Sequence, residues 1–151
     1  MVRADNLPFP MNTAPENQPA DPKAPEWMLV VDDDRQAREM VVQCLSGTGV
    51  EVIGASSGVE ALRILADRSD EPFLILIDVL MPGIDGLTLA RRLLPRFKRT
   101  SISFMSGFAT DHTLWPLELQ NLNLLVKPFP VATLKGIVGS ARAVYRLRGG
   151  A

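Results

Sequence analysis

The sequence predicts an α/β fold in which five parallel strands form one doubly wound sheet with helices on both faces. Three observations carry that expectation. Short apolar runs alternate with helical stripes from residue 27 to residue 148. The run at 73–77 is apolar throughout, as in a strand covered on both sides. Strands separated by helices require right-handed crossovers, and these build a parallel sheet.

The elements follow in order. Residues 1–26 hold Pro8, Pro10, Pro15, Pro19, Pro22 and Pro25 without apolar periodicity, and read as a disordered or polyproline-like tail. Met11 is a second candidate for the start of translation. Met28–Val31 is the first strand, and Asp32, Asp33 and Asp34 follow it. Residues 34–46 place Ala37, Met40, Val41, Cys44 and Leu45 at helical spacing, and Gly47 and Gly49 stop that helix. Val50–Ala55 reads as the second strand. After Ser57 and Gly58, residues 59–67 form a helix with Ala61, Leu62, Leu65 and Ala66 turned one way. Phe73–Ile77 is the third strand and ends at Asp78; Gly86–Leu94 is the third helix, stopping near Pro95. Ile102–Met105 and Leu122–Val126 are the fourth and fifth strands. The last helix, 131–147, buries Leu134, Ile137, Val138, Ala141, Val144 and Tyr145, and 149–151 is a flexible end.

Segment 107–121 fits this alternation poorly. Gly107 opens it, Pro116 removes a backbone donor, and its apolar positions lack a 3.6-residue period. A short or distorted fourth helix is expected there. Five strand–helix units suit the flavodoxin-like order 2-1-3-4-5, with residues 27–148 as one domain.

Composition narrows the function. An apolar fraction of 46% and a charged fraction of 22% belong to an ordinary globular chain. The net charge of −1, from 16 basic and 17 acidic residues, argues against a surface that coats nucleic acid. Cys44 is the sole cysteine and cannot form an internal disulfide, which favours a reducing compartment. No run of about 18 apolar residues marks a membrane span, and no apolar signal core opens the chain. A cytoplasmic protein is expected.

In a sheet of this order, sites lie beyond the carboxyl ends of the strands, where strand order reverses. The polar residues at those ends are Asp32, Asp33, Asp78, Ser106 and Lys127. Three carboxylates crowded together are costly unless a cation joins them. Mg²⁺ suits such a site because it takes few carboxylates and keeps water and phosphate oxygens. Asp78 can then attack phosphorus, with Lys127 supplying positive charge and the Ser106 hydroxyl a hydrogen bond. Alternatives for single residues are plainer. Asp34 is expected to cap a helix, His112 to be an ordinary loop residue, and Cys44, Met81 and Met105 to pack.

Four segments give this constellation a family likeness: LVVDDD at 29–34, LILIDVLMPGIDG at 74–86, FMSG at 104–107 and VKPF at 126–129. In order and spacing they resemble the receiver domains of bacterial two-component response regulators, over about residues 27–148. The resemblance is to single-domain members of the chemotaxis-regulator type, including cell-cycle receivers with a degenerate fourth helix. It implies phosphorylation at Asp78. Asp32, Asp33, Asp78 and the Leu80 backbone carbonyl would hold Mg²⁺, Asp33 most directly. Ser106, Gly107 and Lys127 would bind the phosphoryl group or switch with it. Lys127–Pro128 would be cis, and Pro82, Gly83, Asp85 and Gly86 would form the turn into the third helix. The implied partners are a histidine kinase or histidine phosphotransfer protein and a downstream protein, not DNA or membrane. The chain would be a monomer or a weak phosphorylation-dependent dimer. No output domain follows Ala151, so the expected output is protein contact through 107–121, strand five and the last helix, or phosphate buffering.

Three departures from the family stand out. Leu124 occupies a position where many receivers carry Tyr or Phe, so the coupled swing of hydroxyl and ring cannot run in its usual form. Trp115, in the irregular segment, is a partner-binding anchor if exposed and a core plug if buried. Leu80 and Phe108 are apolar where a polar side chain would orient an attacking water, which predicts slow loss of the phosphoryl group. Arg142, Arg146 and Arg148 read as a solvated face or an acidic-partner site. A haloacid-dehalogenase-type phosphatase would need D-x-D-x-[TV] after the first strand, and Gln36 breaks that pattern. A flavodoxin would need a Ser/Thr/Gly-rich phosphate loop where the Asp run stands. A receiver-like adaptor that works without phosphorylation is the remaining alternative. The chain is not expected to be an enzyme beyond acting on its own phosphoryl group.

Overall fold

The computed structural model describes residues 25–108 and 111–149. Of the tail expected at 1–26 and the end expected at 149–151, residues 1–24 and 150–151 lie outside the described residues. The elements are β1 (Trp27–Val31), α1 (Arg35–Cys44), β2 (Glu51–Ala55), α2 (Gly58–Asp67), β3 (Leu74–Asp78), α3 (Gly86–Leu93), β4 (Ser101–Ser106), β5 (Asn123–Val126) and α4 (Val131–Gly149). The five strands pair in parallel in the order β2-β1-β3-β4-β5. This is the expected flavodoxin-like sheet, and β1 at the reversal point separates crossovers that leave in opposite directions.

Alternation along the central strands builds two cores. Leu29, Val31, Ile75, Ile77 and Phe104 face one side, against Leu62 and Leu65 of α2 and Leu89 and Leu93 of α3. Met28, Val30, Leu74, Leu76 and Met105 face the other, against Val41 of α1 and Leu134, Val138 and Tyr145 of α4. Successive strand side chains point to opposite faces, so a run apolar at every position serves a sheet covered on both sides. The helical stripes are narrower than expected. Met40 of α1 and Ala66 of α2 are exposed, and α1 packs mainly through Val41, beside Leu45 just past its end.

Three helices are capped at the carboxyl end of the sheet. The side chains of Asp34, Ser57 and Asp85 accept hydrogen bonds from Gln36, Glu60 and Thr88 backbone N–H groups at 3.0, 3.1 and 2.8 Å. Each satisfies an N–H that has no partner inside its helix. Asp34 is therefore a cap, as expected.

Segment 107–121 holds no α-helix among its described residues, only two 3₁₀ turns at His112–Leu114 and Leu117–Leu119. The last helix runs past its expected end to Gly149. At the other end of the chain, Glu26 is not free tail. Its carbonyl accepts from the Glu51 N–H at 3.1 Å, and its carboxylate accepts from Arg142 and Arg146 at 3.0 and 2.7 Å. Those two arginines are thus paired within the chain, Arg142 largely covered and Arg146 still solvent-facing. No helix among the described residues is long and apolar enough to cross a membrane.

Candidate functional site

β1 delivers Asp32 and Asp33, and the neighbouring β3 delivers Asp78 as its last residue. One carboxylate oxygen from each of the three lies within 4.8 Å of the others. Asp32 is fully buried, Asp78 is buried, and Asp33 is exposed. Lys127, just beyond β5, brings its Nζ 2.5 Å from Asp32 Oδ2 and 3.5 Å from Asp78 Oδ2. The remaining carboxylate oxygens have backbone donors: Asp34 N–H to Asp32 Oδ1 at 2.9 Å and Leu80 N–H to Asp78 Oδ1 at 3.2 Å. Ser106 ends β4, fully buried, and its hydroxyl oxygen accepts from the Phe108 N–H at 3.1 Å. The Lys127–Pro128 peptide is cis.

The site is electrostatically crowded. Burial and the neighbouring Asp32 charge push the Asp78 carboxyl up to about 6, while Lys127 and the Leu80 N–H pull it back. Burial works against the Lys127 charge, yet the bonds and charges of Asp32 and Asp78 outweigh it and hold its pKa above the ordinary value. Two buried carboxylates therefore share one ammonium group, with a third carboxylate close by at the rim. An all-oxygen donor set with excess negative charge and open access at Asp33 fits a hard divalent cation such as Mg²⁺.

The other expected residues divide. Gly107 is exposed beside Ser106. Leu124 is half-buried and packs with the α2/α3 core, opposite Phe104 in the β4–β5 register. Trp115 is not an exposed anchor. It is 7% exposed, with its ring 5.0 Å from Phe104 edge-on and 4.6 Å from His112. Without a regular helix over this edge of the sheet, the indole supplies the missing apolar cover. The exposed apolar groups of that segment are instead Leu114 at 83% and Leu117 at 82%. Leu80 and Phe108, at 59% and 67%, stand open beside the site.

Two contributors were not visible in the sequence as site residues. Gly86 is one: a Cβ there would lie 2.1 Å from the Asp78 carbonyl oxygen and 2.8 Å from Val79 Cα. Its N–H donates to the Val79 carbonyl at 3.0 Å, so α3 starts in contact with the backbone that carries Asp78. Gly83, in the same turn, has φ +78°. Arg38 is the other, since its Nη1 donates to the Asp32 carbonyl at 2.6 Å. No local pattern marks Arg38, because its target is a backbone carbonyl outside its own helix.

Comparison with known proteins bears on this geometry. Residues 28–138 match the family model of the response regulator receiver domain. The sensor kinase CckA of Brucella abortus is 32% identical over 133 residues, which is 87% of this chain and 14% of that protein. Response regulator MprA of Mycobacterium tuberculosis is 48% identical over 66 residues, 44% of this chain and 28% of that one. The chain thus spans between about one seventh and three tenths of the length of these curated relatives. Among solved structures, response regulator TrrA of Thermotoga maritima, in complex with Mg²⁺-BeF, is 30% identical with a TM-score of 0.66. That match covers 77% of this chain and 98% of TrrA. Vibrio cholerae chemotaxis protein CheY4 is 29% identical with a TM-score of 0.66, covering 78% of this chain and 99% of CheY4.

Proposed function

Because the chain belongs to the response regulator receiver domain family, we propose that it accepts a phosphoryl group on Asp78 and changes its binding to a downstream protein in response. The observation that carries this is the meeting of Asp32, Asp33, Asp78 and Lys127 around one point at the carboxyl edge of the sheet. The donor is a phosphohistidine on a histidine kinase or phosphotransfer protein in the cytoplasm. An Asp78 carboxylate oxygen attacks phosphorus; the new O–P bond forms as the P–N bond breaks, and the departing imidazole keeps the electron pair and takes a proton. Lys127 presents positive charge to the phosphoryl oxygens, and the Ser106 hydroxyl can donate to one of them while its oxygen accepts from the Phe108 N–H. Magnesium held by Asp32, Asp33, Asp78 and the Leu80 carbonyl would supply the rest of the charge neutralisation.

The chain is then a switch and not a turnover enzyme. Leu80 and Phe108 border the site with apolar side chains. Neither can orient a water for attack on the acyl phosphate, which supports slow hydrolysis. Phosphorylation replaces the single negative charge of the Asp78 carboxylate with a phosphoryl group carrying about −1.5 to −2, where negative charge is already in excess. The readout surface includes the irregular segment, with Leu114 and Leu117 outermost, together with Val126 of β5 and Val131 of α4.

Incubation with acetyl phosphate and Mg²⁺, followed by intact mass, tests the proposal. The native protein should gain one phosphoryl group and Asp78→Asn none. No gain, or equal gain in both, overturns it. Repeated turnover of p-nitrophenyl phosphate would instead establish a phosphatase.

A further inference from the structure

The Asp32 peptide is held on every polar side. Its N–H donates to Ala55 of β2 at 3.1 Å, and its carboxylate oxygens accept from Asp34 and Lys127. Its carbonyl accepts the 2.6 Å bond from Arg38 Nη1. That carbonyl belongs to the peptide joining Asp32 to Asp33, so fixing it fixes the plane from which the Asp33 Cα and its exposed carboxylate project.

Arg38 reaches this carbonyl because β2 leaves room. Gly54 pairs in register with Val30 and faces the α1 side of the sheet. A Cβ at Gly54 would lie 3.3 Å from Arg38 Cδ and 3.6 Å from its Nε. The Arg38 side chain therefore lies so close over position 54 that a side chain there would press on its Cδ and Nε and shift it. Glu60, whose carboxylate is held by Ser56 N–H and Oγ at 2.9 and 2.5 Å, attracts the Arg38 charge from the α2 side.

We infer that Arg38, seated over Gly54, is a positioning residue that orients the Asp32–Asp33 peptide for divalent-cation binding. This rests on the proposed Mg²⁺ site. A guanidinium acting only as a nearby charge would repel a divalent ion, so removing it would tighten binding. A guanidinium that orients a ligand does the opposite, as partners of metal ligands generally do. The sign of the change separates the two roles.

Gly54→Val gives an independent handle. It keeps the Arg38 charge but presses on the Arg38 side chain from below, and valine suits a strand. Mg²⁺ is titrated by calorimetry into native protein, Arg38→Met, Arg38→Lys and Gly54→Val, each first shown by circular dichroism to be folded. Arg38→Met and Gly54→Val should each bind Mg²⁺ about tenfold more weakly, the low end of the range for such partners, with Arg38→Lys between them and native. Affinity in Arg38→Met equal to native or tighter overturns the inference. Should Arg38→Met fail to fold, Gly54→Val decides alone, and unchanged affinity there overturns it. A native protein that binds no Mg²⁺ overturns the proposed function, and this inference with it.

Discussion

The two ends of the sheet handle charge in opposite ways. At the amino end, opposite charges meet in pairs. Glu26 accepts from Arg142 and Arg146, and Arg68 donates to Asp70 at 3.0 Å and Glu51 at 3.3 Å while stacking 4.1 Å over the Trp27 ring. At the carboxyl end, three carboxylates crowd together and only two of them share an ammonium. Burial resists the Glu26 charge, but its arginine partners draw its pKa below the usual value, whereas Asp78 is pushed up to about 6. One end stabilises the resting fold. The other keeps unfavourable charge in reserve for a cation and a phosphoryl group, as sites whose pKa values are strongly perturbed commonly do.

Gly86→Ala should break that contrast most severely. The added methyl would overlap the Asp78 carbonyl, so the backbone under the acidic cluster must move. A loss of about 3 kcal/mol or more is expected, as for overpacking against rigid backbone, and chemical denaturation measures it. Asp78→Asn should move stability the other way. A carboxyl whose folded pKa exceeds its unfolded value favours folding fully below the unfolded pKa, and that contribution is lost as pH rises through about 6. At pH 7 without divalent ion, the amide should therefore gain about 1–3 kcal/mol over native, and the gain should vanish near pH 3. Equal stabilities at both pH values would mean that the cluster is not strained.

Leu80→Asn sharpens the contrast at the same end. A polar group beside Asp78 should speed phosphoryl loss several-fold, read by intact mass over time; an unchanged lifetime of seconds would refute the apolar-rim explanation. The smallest effect belongs to the amino end. Glu26→Gln should cost up to about 1 kcal/mol near neutral pH. Because the Glu26 pKa is depressed, its contribution is present above the unfolded value and lost as pH falls. A thermal-shift difference between native and Glu26→Gln that persists at pH 3 would contradict the pairing.

The site was legible in the sequence to the extent that strand ends were. Asp32, Asp33, Asp78, Ser106 and Lys127 each terminate or follow a strand whose apolar run is plain, and parallel crossovers bring such ends to one edge. Trp115 was not legible, because an irregular segment has no period from which to read a buried face. Glu26 was assigned to the tail because its arginine partners lie 116 and 120 residues away.

Local periodicity and turn chemistry thus determined the strands and helices, which depend on residues a few positions apart, and the crossover rule for parallel strands then brought their acidic ends together. Tertiary structure alone decided which carboxylate is buried, that Gly54 opens a path for Arg38, that Gly86 touches the Asp78 backbone, and that Glu26 holds the last helix. Burial and pairing across the fold depend on which distant surfaces meet, and no local pattern records that.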